Sequence, residues 1–132
     1  MFLVDTSVWV SLLRGKQTAK TQILKACIEQ KQRYGITAQI YQEILQGAGT
    51  PEGFFTLQRD FASLPLYHPH DVFNSYADAA LIYARLRWRG ITVRSTTDCL
   101  IAQIALEHGL TLLHDDADFV KIARIEPSLR LA

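Results

Sequence analysis

The sequence predicts an α/β protein, a central parallel β-sheet flanked by helices on both faces. Two observations carry that expectation. Apolar runs of three to five residues alternate along the chain with longer stretches of helical periodicity. Runs that short, each followed by a helix, suit buried strands joined by helical crossovers. The chain of 132 residues also shows no internal repeat, low-complexity run or linker, so residues 1–132 are expected to form a single domain.

Each element has its own signal. Residues 2–4 read as a short buried strand. From Ser7 to Arg14 the pattern turns helical, with Gly15 as a stop. Residues 17–32 form a second helix, carrying Ile23, Leu24, Cys27 and Ile28 on one side. "YGIT" (34–37) is a brief strand, and Thr37 is placed to cap the helix "AQIYQEILQG". A further helix spans 51–63, starting near Pro51. "LPLY" (64–67) is a third strand, which Pro65 puts at an edge or ends early.

A long helix follows, from about Asp71 to Trp88. Val72, Phe73, Tyr76, Ala77, Ala80, Leu81 and Ala84 fall on one half of it, and the alanines there would let it pack close to a neighbour. "GITVRS" (90–95) is extended. "TTDCLIAQIALEHG" is a helix apolar nearly all round, hence buried, and Gly109 ends it. "LTLL" (110–113) is a strand, and "HDDADF" follows.

Composition excludes several classes. With 48% hydrophobic and 20% charged residues the chain is that of a globular protein, and a formal charge of +1 singles out no partner. Two lone cysteines, Cys27 and Cys99, make no disulfide framework and read as small buried residues. No segment approaches membrane-spanning length, and a cytoplasmic protein is expected. "YHPHD" (67–71) raises the question of a zinc or nickel site, but a loop entering a helix, with Asp71 near its start, explains it more simply.

The acids ask for more. Asp5 stands at the end of the first strand, where it either caps a helix or, at the carboxyl end of a parallel strand, faces a ligand. Asp115, Asp116 and Asp118 follow the strand 110–113, so parallel strands bring both groups to one edge of the sheet. Glu43 lies on the border of an apolar helix face, and Asp98 sits in the first turn of the buried helix. Alone, each has an ordinary structural explanation, solvation for Glu43 and the helix dipole for Asp98. Together they do not, because buried carboxylates need a partner. No Lys or Arg lies within four residues of Asp5 or Glu43, although Arg94 precedes Asp98 by four. Carboxylates converging without His or Cys suit a hard divalent ion, Mg²⁺ or Mn²⁺, and hence phosphodiester or phosphoryl chemistry.

"LVDTSVW", the Glu of "TAQIYQEILQG" and "TTDCLIAQIALEHGLTLLHDDADF" together resemble the PIN-domain ribonucleases, in particular the VapC toxins of bacterial toxin–antitoxin pairs. The resemblance runs the length of the chain in order and spacing. It implies a PIN domain acting as a metal-dependent endoribonuclease on structured RNA, such as a tRNA or a ribosomal RNA loop. It further implies a homodimer and a VapB-type antitoxin whose tail occupies the acidic groove. Asp5, Glu43, Asp98 and Asp116 match the family's four acids, with one or two ions held mainly by Asp5, Asp98 and Asp116. Asp118 matches the acid of the following "DF", which leaves the fourth position open between the two. Thr6 and Thr97 stand where they would support the acids by hydrogen bonds. Arg14, Lys16, Arg85, Arg87 and Arg89 are candidate phosphate contacts. Trp9 and Trp88 are more naturally helix-packing residues than stacking platforms.

Two rival readings remain. A Mg²⁺-dependent phosphatase using Asp5 as nucleophile would want a second Asp two residues on, where Ser7 stands. A catalytically silent RNA- or protein-binding module would have no need of all four acids.

Overall fold

The computed structural model describes residues 1–132. Strand β1 (Phe2–Val4) leads into α1 (Thr6–Leu13) and α2 (Ala19–Glu29), then β2 (Tyr34–Thr37) into α3 (Ala38–Gln46) and α4 (Pro51–Phe61). Strand β3 (Leu66–Tyr67) precedes α5 (Val72–Trp88) and α6 (Thr96–His108), and β4 (Thr111–Leu113) precedes α7 (Ala117–Ile125) and β5 (Arg130–Leu131). All pairings are parallel, in the order β3-β2-β1-β4-β5.

That order has a consequence. The chain moves one way from β1 to β3, then returns to place β4 on the other side of β1. With right-handed crossovers, α1–α4 cover one face of the sheet and α5–α7 the other. The packing agrees, since α1 meets α2 and α3, α3 meets α4, and α5, α6 and α7 meet one another. The reversal lies between β1 and β4, where open α/β sheets leave a crevice beyond the strand ends.

Buried strands follow from their sequences. Leu3, Val4, Ile36, Leu112 and Leu113 are fully enclosed, as strands covered on both faces require. Helix α6 is nearly as apolar as a strand and buries Leu100, Ile101, Ala102, Ile104 and Ala105. Gly109, with φ of 63°, ends it in the left-handed conformation that glycine adopts freely.

Several expectations are corrected. The second helix is shorter than expected, because Thr18 caps it at one end and the chain turns at Gln30 at the other, and the fourth starts at Pro51 as expected but ends early, at the turn of Ala62. Residues 90–95, expected to be extended, form no strand, since Gly90 turns the chain at φ 72° and a bend follows at Arg94, and a fifth strand, Arg130–Leu131, is too short to show any pattern. On α5 the inward residues are Ser75, Ala79, Ile82 and Leu86, not the face expected. Small Ala79 lets Leu100 and Ile104 of α6 approach closely, which turns Val72, Phe73, Tyr76 and Leu81 outward. Trp9 is packed between Tyr34 and Phe61, as expected, whereas Trp88 is exposed. His68 and His70 belong to a loop held by α6, with His108 Nε2 2.7 Å from the His68 carbonyl and Asp71 capping α5.

Close packing of β3 on β2 depends on Gly35, where a Cβ would stand 2.6 Å from both the Pro65 carbonyl and the Tyr67 ring. Gly35→Ala should cost about 1–3 kcal/mol, as overpacking does. Gly49→Ala, with open space around it, should change far less. Thermal or urea unfolding of the two variants checks this, and equal stabilities would contradict the packing described.

Candidate active site

Parallel pairing of β1 with β4 sets Phe2 beside Thr111, Leu3 beside Leu112 and Val4 beside Leu113. The Asp5 amide continues the ladder by donating to the Leu113 carbonyl at 2.9 Å. Asp5 and the turn 114–116 are therefore neighbours at the topological switch point. Asp5 is both a strand-end residue and the cap of α1. Its carboxylate accepts from the Ser7 amide at 3.0 Å and the Ser7 hydroxyl at 2.6 Å.

Asp116 likewise caps α7, accepting from the Asp118 amide at 2.9 Å. Buried His114 fixes this turn, its Nδ1 accepting from the Asp116 amide at 3.1 Å. Burial and the positive charge of Lys20 push the imidazole below its usual pKa, which favours the neutral ring that such an acceptor needs. Asp98 lies in the first turn of α6, capped by Ser95. Three helix N-termini, those of α1, α6 and α7, thus carry Asp5, Asp98, Asp116 and Asp118, where a partial positive charge favours them, whereas Glu43 lies within α3.

Carboxylate oxygens of Asp98, Asp116 and Asp118 come within 4.8 Å of one another. Asp5 stands outside that trio, its carboxylate turned to Ser7, yet near enough for its charge to act on Asp98 and Glu43. Burial raises the Asp98 carboxyl to about 7, helped by Asp5, Asp116, Asp118 and Glu43. Asp5 is raised by burial and then by Asp116, against the lowering pull of its Ser7 bonds. Glu43, on the solvent side of α3, is raised by partial desolvation and by Asp5. The Thr6 hydroxyl stands near enough to ease that shift, but its oxygen is buried and makes no hydrogen bond.

The cations lie elsewhere than the sequence suggests. Arg94 lies in the non-helical segment before α6, so helical i,i+4 geometry does not apply to it and Asp98. Its guanidinium reaches Asp116 at 3.5 Å and Asp118 at 3.6 Å, while its amide donates to Asp118 at 3.0 Å. Lys121 adds a contact to Asp118 at 3.5 Å. Asp118 is therefore buried but well satisfied, and Asp98 is buried without a cation.

Of the expected supporting residues, Thr97 donates its amide to the Ser95 hydroxyl and is not bonded to an acid. Ser7 does the work expected of Thr6, and its hydroxyl also accepts from the Asp115 amide at 3.0 Å. Its place two residues after Asp5, in the first turn of the helix that Asp5 caps, is the available signal. Among the expected phosphate contacts, Arg85 is engaged with Glu126 and the Ile125 carbonyl. Arg87 lies over the Tyr83 ring, and Arg14, Lys16 and Arg89 are exposed without touching the acids. Cys99, beside Asp98, is buried with its thiol pushed up to about 11, so it is inert at neutral pH.

Such an arrangement fits a hard divalent ion. Every candidate ligand is an oxygen, and Asp98 has nothing in the chain to balance its charge. A profile of the PIN domain matches residues 2–125. The chain belongs to the PIN-domain family. It is 40% identical over 126 residues to VapC ribonuclease Mb1587 of Mycobacterium bovis and, to the same extent, to ribonuclease VapC11 of Mycobacterium tuberculosis, spanning 95% of this chain and 93% of each relative. Its fold is shared with solved VapBC structures. The VapBC2 complex of Rickettsia felis, bound to a promoter DNA fragment, superposes with a TM-score of 0.74 at 17% identity, covering 99% of this chain and 96% of that one. VapBC-1 of nontypeable Haemophilus influenzae gives the same values.

The sign of the pH effect follows from the raised carboxyls. Asp98 is protonated more readily folded than unfolded, so its contribution is complete below about pH 4 and is lost as pH rises through about 7. In chelator, Asp98→Asn should therefore be more stable than the parent at pH 8, on the order of 1–3 kcal/mol, and nearly equal to it near pH 4. Melting temperatures across that range check this; a constant offset would contradict it.

Proposed function

We propose that the chain is the toxin of a toxin–antitoxin pair, a cytoplasmic endoribonuclease that hydrolyses phosphodiester bonds in structured RNA. One observation carries the reading: Asp5, Glu43, Asp98 and Asp116 gather at the switch point of the sheet with more negative charge than the nearby cations offset. The VapC ribonucleases at 40% identity support the reaction, and the VapBC complexes that share the fold support a VapB-type partner.

Asp98 and Asp116, with Asp5, would hold Mg²⁺ or Mn²⁺, which supplies positive charge for the scissile phosphate and its leaving oxygen when bound. Asp118 is the supporting acid, because the Arg94 amide and Lys121 already occupy it. Ser7 orients Asp5, and His114 fixes the turn that presents Asp116. Glu43, with its raised pKa, is suited to take a proton at its carboxylate from an attacking water. Arg94, largely exposed and 3.5 Å from Asp116, is placed to meet a substrate phosphate entering the site.

An arginine from the antitoxin would neutralise the same carboxylates through charge-assisted bonds. A homodimer accounts for the exposed apolar side of α5, where Phe73 is 88% and Val72 68% exposed. The chain has no helix long and apolar enough to cross a membrane. A phosphatase reading is disfavoured, since the residue two after Asp5 is a serine bonded to it.

Purified protein should cut a structured RNA with Mg²⁺ or Mn²⁺ and stop in chelator. Asp5→Asn and Asp98→Asn should each slow cutting by roughly 100-fold or more. RNA left intact by wild type with either metal, across tRNA and ribosomal RNA, would reject the assignment.

A further inference from the structure

A second recess opens beside the acidic site. It has a volume of about 290 Å³ and is lined by Gln39, Gln42, Glu43 and Gln46 of α3 and by Ser95 and Thr97 at the start of α6. Residues 39, 42 and 46 follow helical spacing, so the three amides share one face of α3. The recess touches the acidic site at both ends of its lining, through Glu43 itself and through Thr97, the neighbour of Asp98.

Its chemistry differs from that of the site it adjoins. The lining contains no apolar side chain and no cation. A phosphate there would face the Glu43 carboxylate with nothing to offset the repulsion. An apolar group would strip water from the amides without replacing its hydrogen bonds. Neutral donors and acceptors are what remain, and amides present both together. In addition, Gln39 Oε1 is buried and has no hydrogen-bond partner in the chain. A buried acceptor without a donor is costly, and a turn of the Gln39 amide into the recess it lines would give that oxygen a ligand N–H or O–H.

The geometry points to a nucleobase subsite: Gln39, Gln42 and Gln46, with Ser95 and Thr97, read the edge of one unpaired base next to the scissile phosphate. This rests on the ribonuclease assignment above and adds where its sequence preference resides. Single-stranded RNA is read at base edges by such hydrogen bonds, and side-chain amides match the paired donor and acceptor of a base. Glu43 links the two functions, since a base seated against α3 places its own phosphate near the carboxylates. The lining has no aromatic ring, so recognition here is by hydrogen bonds rather than stacking.

The test uses the intact chain and RNA hairpins with a randomised loop, with new ends sequenced after brief cutting. Wild type should show a preference of roughly five-fold or more for one base at a single position within about two nucleotides of the cut. Gln42→Ala and Gln46→Ala, exposed changes to a good helix former, should each flatten that preference while cutting continues. Melting temperatures establish that both variants fold. Folded variants that cut with an unchanged base profile would overturn the subsite and leave the ribonuclease assignment standing. Wild type that cuts no RNA would overturn both. Variants with an unchanged profile but weakened inhibition by antitoxin would assign the recess to the protein partner instead.

Discussion

Everything at the candidate site depends on β1 lying parallel beside β4. That pairing ends Val4 level with Leu113 and carries on through the Asp5 amide to the Leu113 carbonyl. A slip of one residue would turn Asp5 toward the other face of the sheet. Residues more than a hundred positions apart in sequence thus meet because strand order reverses between these two strands. The buried side chains of Leu3, Val4, Leu112 and Leu113 fix the register, so the hydrophobic core, not the acids, holds the site together.

The acids work against the fold that carries them. Asp98 is buried among like charges and held near neutrality by proton uptake, while Asp5 and Glu43 are pushed the same way. Helix N-termini, the Ser7 hydroxyl, the Arg94 amide and Lys121 relieve part of this, chiefly for Asp5 and Asp118. What is left over, concentrated on Asp98, is charge that a divalent cation would remove. Local instability and binding capacity are two views of one arrangement.

Much of this was legible in the sequence for definable reasons. Short apolar runs ending in Asp gave the parallel sheet and its acidic edge, because strand ends and helix caps are local signals. The inward face of α5 was not legible, since two stripes of comparable apolarity were available and only contact with α6 chose Ala79 and Ile82 over Phe73 and Tyr76. Sequence spacing offers Arg94 to Asp98, but the segment is not helical there and its guanidinium turns to Asp116 and Asp118. Ser7 is not legible as a site residue, because a first-turn serine that donates to a capping acid looks the same whether or not that acid is functional. The recess along Gln39, Gln42 and Gln46 needed two helices that only the tertiary fold brings together.

The divalent cation site proposed for these carboxylates carries excess negative charge that a proton on or near Asp98 partly neutralises when no cation is bound. Calorimetric titration with Mn²⁺ in buffers of different ionisation enthalpy tests it most directly, because it counts protons displaced on binding. Saturable binding with proton release near pH 6.5 that fades by about pH 8.5, where the site is already ionised, is the expected result. Absence of saturable binding, or binding with the same proton count at both pH values, would contradict it.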